Sequence, residues 1–80
     1  MAAVYDWKIA RDNMFRLRTK AKLNQKELGK ELGVSDACIC NYENGYVIPK
    51  MSYMEKFCHY FGIGIDDLYE KDLIKNVLNI

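Results

Sequence analysis

The 80 residues predict an all-α domain, a compact bundle of five short helices. Three observations predict it. Apolar residues recur at steps of three and four along the chain, the period of a helix with one buried face. Capping residues and glycines fall where such helices must begin and end. There is one proline, with no repeat or low-complexity tract, so nothing marks a linker or a second domain.

Asp6 is the expected N-cap of the first helix. Trp7, Ala10, Met14, Leu17 and Ala21 then form one apolar stripe over about four turns. Lys8, Arg11, Arg16, Arg18, Lys20 and Lys22 lie mostly off that stripe. Asn24 caps the second helix, with Glu27 as its capping-box partner, Leu28 and Leu32 buried, and Gly33 as its stop. Ser35 caps the third, which runs to Asn44 and ends at Gly45. The fourth follows Pro49, with Met51, Met54, Phe57, Cys58 and Phe61 at core spacing and Gly62 as its stop. A short fifth starts near Asp66 around Leu68. These elements fill residues 1–70; residues 71–80 form an apolar tail.

A helix, a tight glycine turn and a second helix make a helix-turn-helix, whose second helix can enter a DNA major groove. On the third helix, Ile39 and Tyr42 are the large apolar positions and with Val34 fill the angle against the second. Asp36, Ala37, Cys40, Asn41 and Asn44 fall on the opposite face, which is small and polar.

Charge is uneven. Residues 1–30 carry eight Lys/Arg and three Asp/Glu, whereas residues 31–80 carry four and eight. A basic half attracts phosphates, although the whole-chain pI near 7.7 is lower than that of many nucleic-acid-binding domains. With no apolar run long enough for a membrane span and no signal-peptide pattern, the expected location is cytoplasmic. Three cysteines, an odd number, fit a reduced compartment better than a disulfide framework.

Along "LNQKELGKELGVSDACICNYENG…P" the sequence resembles the phage repressor/Cro type of helix-turn-helix, the XRE-like class. Leu23, Asn24, Gln25, Glu27, Leu28, "LGVS", Ile39, Tyr42, "ENG" and Pro49 carry the likeness. "YMEKFCHYFGIGIDDLYE" resembles the family's fourth and fifth helices, so the likeness covers residues 10 to 70. It implies base reading from Asp36, Ala37, Cys38 and Asn41. Asn41 suits adenine N6 and N7, and Ala37 a thymine methyl. Asp36 either accepts from cytosine N4 or is only an N-terminal helix charge. The resemblance further implies phosphate contacts from Arg18, Asn24, Gln25, Cys40, Asn44, Tyr46 and Lys50, and an ion pair between Arg18 and Glu43. Two departures stand out. Tyr46, Val47 and Ile48 occupy positions where the family usually has lysines or arginines. Gly64 replaces the capping serine or threonine before the fifth helix, which should loosen that junction.

Other chemistry fits poorly. Cys38 and Cys40 point about 200° apart on a helix and cannot readily chelate zinc together. Cys58 lies on a core stripe, at a position the family fills with alanine. His59 has no nucleophile or carboxylate pair beside it, and there is no glycine-rich phosphate loop. The expectation is therefore no enzyme, no metal, no cofactor and no small-molecule ligand. In the tail, Leu73, Ile74, Val77 and Leu78 continue at helical spacing from Leu68 and Tyr69. They either fold back on the core or form a dimer seam, and the apolar patch favours the seam.

The resulting expectation is a DNA-binding transcriptional regulator, a repressor acting as a homodimer on palindromic double-stranded DNA. The alternative is a protein-interaction module on the same fold, suggested by Asp36, the uncharged loop and the near-neutral pI.

Overall fold

The computed structural model describes residues 6–71 and 73. In order these form α1 (Trp7–Lys20), α2 (Gln25–Leu32), α3 (Asp36–Glu43), α4 (Met51–Phe61) and a 3-10 helix, Asp66–Tyr69.

The helix ends follow from local chemistry. The Asp6 carboxylate accepts from Lys8 N at 2.9 Å and starts α1. At its far end Lys22 adopts a left-handed φ of 61°, so the chain turns there and Ala21, expected on the buried stripe, is exposed outside the helix. Asn24 and Glu27 close a reciprocal capping box, at 2.7 and 2.9 Å, on α2. Gly33 ends α2 at φ 73°. The Ser35 hydroxyl accepts from Cys38 N at 3.2 Å and starts α3 two residues later.

Gly29 sets how closely α2 meets the turn into α3. A Cβ there would sit 2.5 Å from the Val34 carbonyl oxygen, so no side chain fits without moving backbone.

The expected fifth α-helix is instead one turn of 3-10 helix. Gly64 offers no side chain to cap it. The Asp67 carboxylate reaches back to Gly64 N at 2.8 Å in its place. The turn is held from outside: buried Asn13 of α1 donates through Nδ2 to the carbonyls of Leu68 and Glu70 at 2.7 and 2.8 Å. Those carbonyls close a helix end and need a donor, which α1 supplies.

Phe57, Leu28, Ile39 and Leu68 are the largest fully buried side chains. On α4 the core positions are Tyr53, Met54, Phe57 and Cys58. Met51, expected inside, is exposed, because it is the first residue of the helix and no neighbouring element covers it. Tyr53 takes part in a ladder of rings, Tyr42–Tyr53–Phe57–Phe61, that backs α3 against α4. Burial holds the Tyr53 hydroxyl protonated well above the usual tyrosine range.

Leu68 and Leu73, expected in a dimer seam, are buried in the core of the single chain and present no surface to a partner. Tyr69 is half-buried against the same core. Ile74, Val77 and Leu78 lie outside the described residues. No described helix is long and apolar enough to cross a membrane.

Candidate nucleic-acid interface

One carboxylate joins three elements. Glu43, the last residue of α3, receives Arg18 Nε on Oε2 at 2.6 Å and Arg18 Nη2 on Oε1 at 2.9 Å. Gln25 Nε2, at the start of α2, donates to the same Oε1 at 2.9 Å. A third Arg18 donor, Nη1, reaches the Leu23 carbonyl at 2.7 Å. Both charged side chains are about nine-tenths buried, at 10% and 11% exposure. A negative charge at a helix C-terminus is opposed by the backbone dipole, so Glu43 depends on its arginine. The network fixes the orientation of α3 relative to α1 and α2.

With Ile39 buried beneath it, α3 turns Asp36, Ala37, Asn41 and Asn44 to solvent. Asn41 is the conspicuous member. Its exposed side-chain amide has no hydrogen-bond partner among the described residues, leaving a donor and an acceptor side by side. The Asp36 carboxylate accepts from Ala37 N at 2.9 Å in the first turn of α3, the place where a negative charge favours a helix.

The two cysteines of α3 have other neighbours. The Cys38 thiol donates to the Tyr42 hydroxyl at 3.2 Å, which turns it toward the ring ladder, and this contact raises the Tyr42 pKa. Cys40 sulfur accepts from Asn44 Nδ2 at 3.1 Å. Cys58 is buried on α4, where burial first, then the Asp67 carboxylate, pushes its thiol up to about 11.

At the edge of this face is the N-terminus of α2. Asn24 Oδ1 is committed to its cap, which leaves the amide hydrogens of Asn24 and one hydrogen on Gln25 Nε2 for an outside acceptor. On the other side, Tyr46 and Ile48 are strongly exposed, with Val47, Met51 and Lys50 beside them. Pro49 is buried and anchors that loop.

Arg11 is the residue that sequence reasoning missed. Its side chain extends from α1 across Gly45, at the end of α3. The available signal was its spacing: seven residues before Arg18, it lies on the same face of α1 two turns earlier.

The helix-turn-helix family model matches residues 14–68. Over 52 residues the chain is 35% identical to the cryptic phage CTXphi transcriptional repressor RstR of Vibrio cholerae, a match covering 65% of this chain and 47% of that protein. The chain thus spans about half the length of this curated relative. No solved structure matches it significantly. Capping box, glycine turn, buttressed third helix and family match agree, and the chain belongs to the helix-turn-helix family, in its phage repressor/Cro type.

Proposed function

We propose that this chain is a DNA-binding transcriptional regulator, a repressor that sets α3 in the major groove and binds a palindromic operator as a homodimer. The observation that carries the reading is the unpaired amide of Asn41 on an exposed face whose reverse side is locked by Glu43. An amide so placed can pair bidentately with adenine. Ala37 offers a methyl contact, and Asp36 is the neighbour that restricts which bases are accepted. Cys38 contributes at most through its edge, since its thiol engages Tyr42. Asn24, Gln25, Cys40, Asn44, Tyr46 and Lys50 flank this face and hold the phosphates. Arg18 acts mainly by positioning α3. The name of the Vibrio cholerae relative, a transcriptional repressor, supports the same reading. Dimerisation sets two copies of α3 about 34 Å apart, one DNA turn.

A second reading has its own observation. Tyr46, Val47, Ile48 and Met51 form an exposed apolar patch, at 78%, 46%, 66% and 54% exposure, of the kind that meets protein partners.

Salt separates the two. Affinity for a mixed-sequence duplex, measured by fluorescence anisotropy, should fall steeply between about 50 and 200 mM salt. Absence of duplex binding at low salt, or binding indifferent to salt, would overturn the DNA reading in favour of the apolar patch.

A further inference from the structure

The family resemblance leaves a deficit of positive charge after α3, because Tyr46, Val47 and Ile48 stand where lysines or arginines are usual. Backbone donors do not make it up. Asn44 N donates to the Cys40 carbonyl at 2.9 Å, and Gly45 N to that of Tyr42 at 3.2 Å. Tyr46 N and Val47 N both donate to the Asn41 carbonyl, at 3.0 and 3.4 Å. Four successive amides at this corner therefore point inward.

Arg11 lies over the same corner. A Cβ on Gly45 would overlap its Nη1 and lie 3.2 Å from its Cζ, so the absence of a side chain at 45 is what admits the guanidinium. Gly45 also has φ +79°, a second reason for glycine there. The other arginines of α1 have partners: Arg18 holds Glu43, and Arg16 pairs with Asp12 at 3.0 Å. Arg11 makes no ion pair or hydrogen bond with any described residue. The α3 terminus has no basic residue in its last turn, so its negative end attracts the guanidinium without neutralising it. Glu43, the nearby carboxylate lining the same pocket, is already matched by Arg18.

We infer that Arg11, seated on Gly45, is a phosphate-binding site for the DNA backbone, and that it supplies from α1 the charge missing from the loop after α3. The inference rests on the DNA-binding reading above. A guanidinium presents a planar fork suited to two phosphate oxygens. Arg11 and Arg18 stand about 10 Å apart along one helix face. One arginine positions α3, and the other holds the strand at its end.

The test uses the full chain and a mixed-sequence 30-base-pair duplex, with binding measured across a salt series. Arg11→Gln should weaken binding about tenfold at moderate salt and reduce the slope of log K against log salt by about 0.9, one phosphate contact. Arg11→Lys should keep most of the slope. Arg16→Gln removes an equal charge elsewhere on α1 and should leave the slope near wild type. A merely structural role for Arg11 would lower the melting temperature without changing the slope. If the glutamine variant unfolds, Arg11→Met keeps the stem over Gly45 and must show the same loss of slope. An unchanged slope in Arg11→Gln and Arg11→Met, or an equal loss with Arg16→Gln, overturns the site while leaving DNA binding intact. No duplex binding by wild type overturns both, and is recognised by that.

Discussion

Replacing Glu43 with alanine should destabilise this domain far more than loss of a surface ion pair. The carboxylate accepts two hydrogen bonds from Arg18 and one from Gln25, all between 2.6 and 2.9 Å. Without it, Arg18 stays in a site where its side chain is 10% exposed and keeps the Leu23 carbonyl as its one hydrogen-bond acceptor, with the Phe15 ring 5.4 Å from its guanidinium carbon. Stranding one charge of a buried pair costs about 3–5 kcal/mol. The remaining carbonyl and the water admitted by alanine favour the lower end, about 3 kcal/mol. A domain of this size has roughly 4–12 kcal/mol in total, so the loss is large. With a urea m-value near 1 kcal/mol/M, the unfolding midpoint should fall by about 3 M. The paired change Arg18→Met with Glu43→Leu removes both charges and should recover much of that stability, because the cost lies in the unpaired charge. A midpoint shift of less than about 1 M for Glu43→Ala, the size of an exposed pair, would refute the claim that this carboxylate holds α1, α2 and α3 together.

Three further outcomes follow from individual contacts. Asn13→Ala strips the donor from two carbonyls at the end of the 3-10 helix and should cost about 2 kcal/mol in urea unfolding, with Asn13→Asp worse because it sets a carboxylate against them. Gly29→Val forces a side chain against the Val34 carbonyl and should cost at least about 1–3 kcal/mol by thermal melting. Cys58, whose folded pKa of about 11 lies above the ordinary 9.0, should at pH 8 react with iodoacetamide at least about a hundredfold more slowly than a free thiol. By the same sign, its contribution to stability is present below about pH 9 and is lost as pH rises through 11, so Cys58→Ala should flatten that alkaline decline.

Elements that rest on local chemistry were legible in the sequence. Asn24 with Glu27, Ser35, and the glycines at 33, 45 and 62 each act within a few residues of themselves, and the helices end where they dictate. What depends on a distant partner was legible only where the family pattern supplied it. Asn13 looks like a surface asparagine until Leu68 and Glu70 come to it from 55 and 57 residues away. The 3-10 helix has that clamp at its end and the bare Gly64 before its start, and Leu68, expected inside the fifth helix and at a dimer seam, is buried in the core of the single chain. Tyr53 escaped notice beside Met51, since periodicity gives an apolar face without saying where the helix begins. At the candidate interface, the exposed residues of α3 followed from spacing, as did the Arg18 and Glu43 positions from the family pattern. Arg11 did not, because its place depends on a missing Cβ at Gly45 in another element.

The central claim is that the exposed face of α3 reads bases, and selection from a random duplex library by wild type and Asn41→Ala tests it most directly. Wild type should enrich a two-fold symmetric site with half-sites about one helical turn apart. Asn41→Ala should recover the same spacing with preference relaxed at one position in each half-site, a loss of about 1–3 kcal/mol of discrimination there. An identical motif from both proteins, or no enrichment over competitor DNA by wild type, would contradict the assignment of α3 as the reading helix.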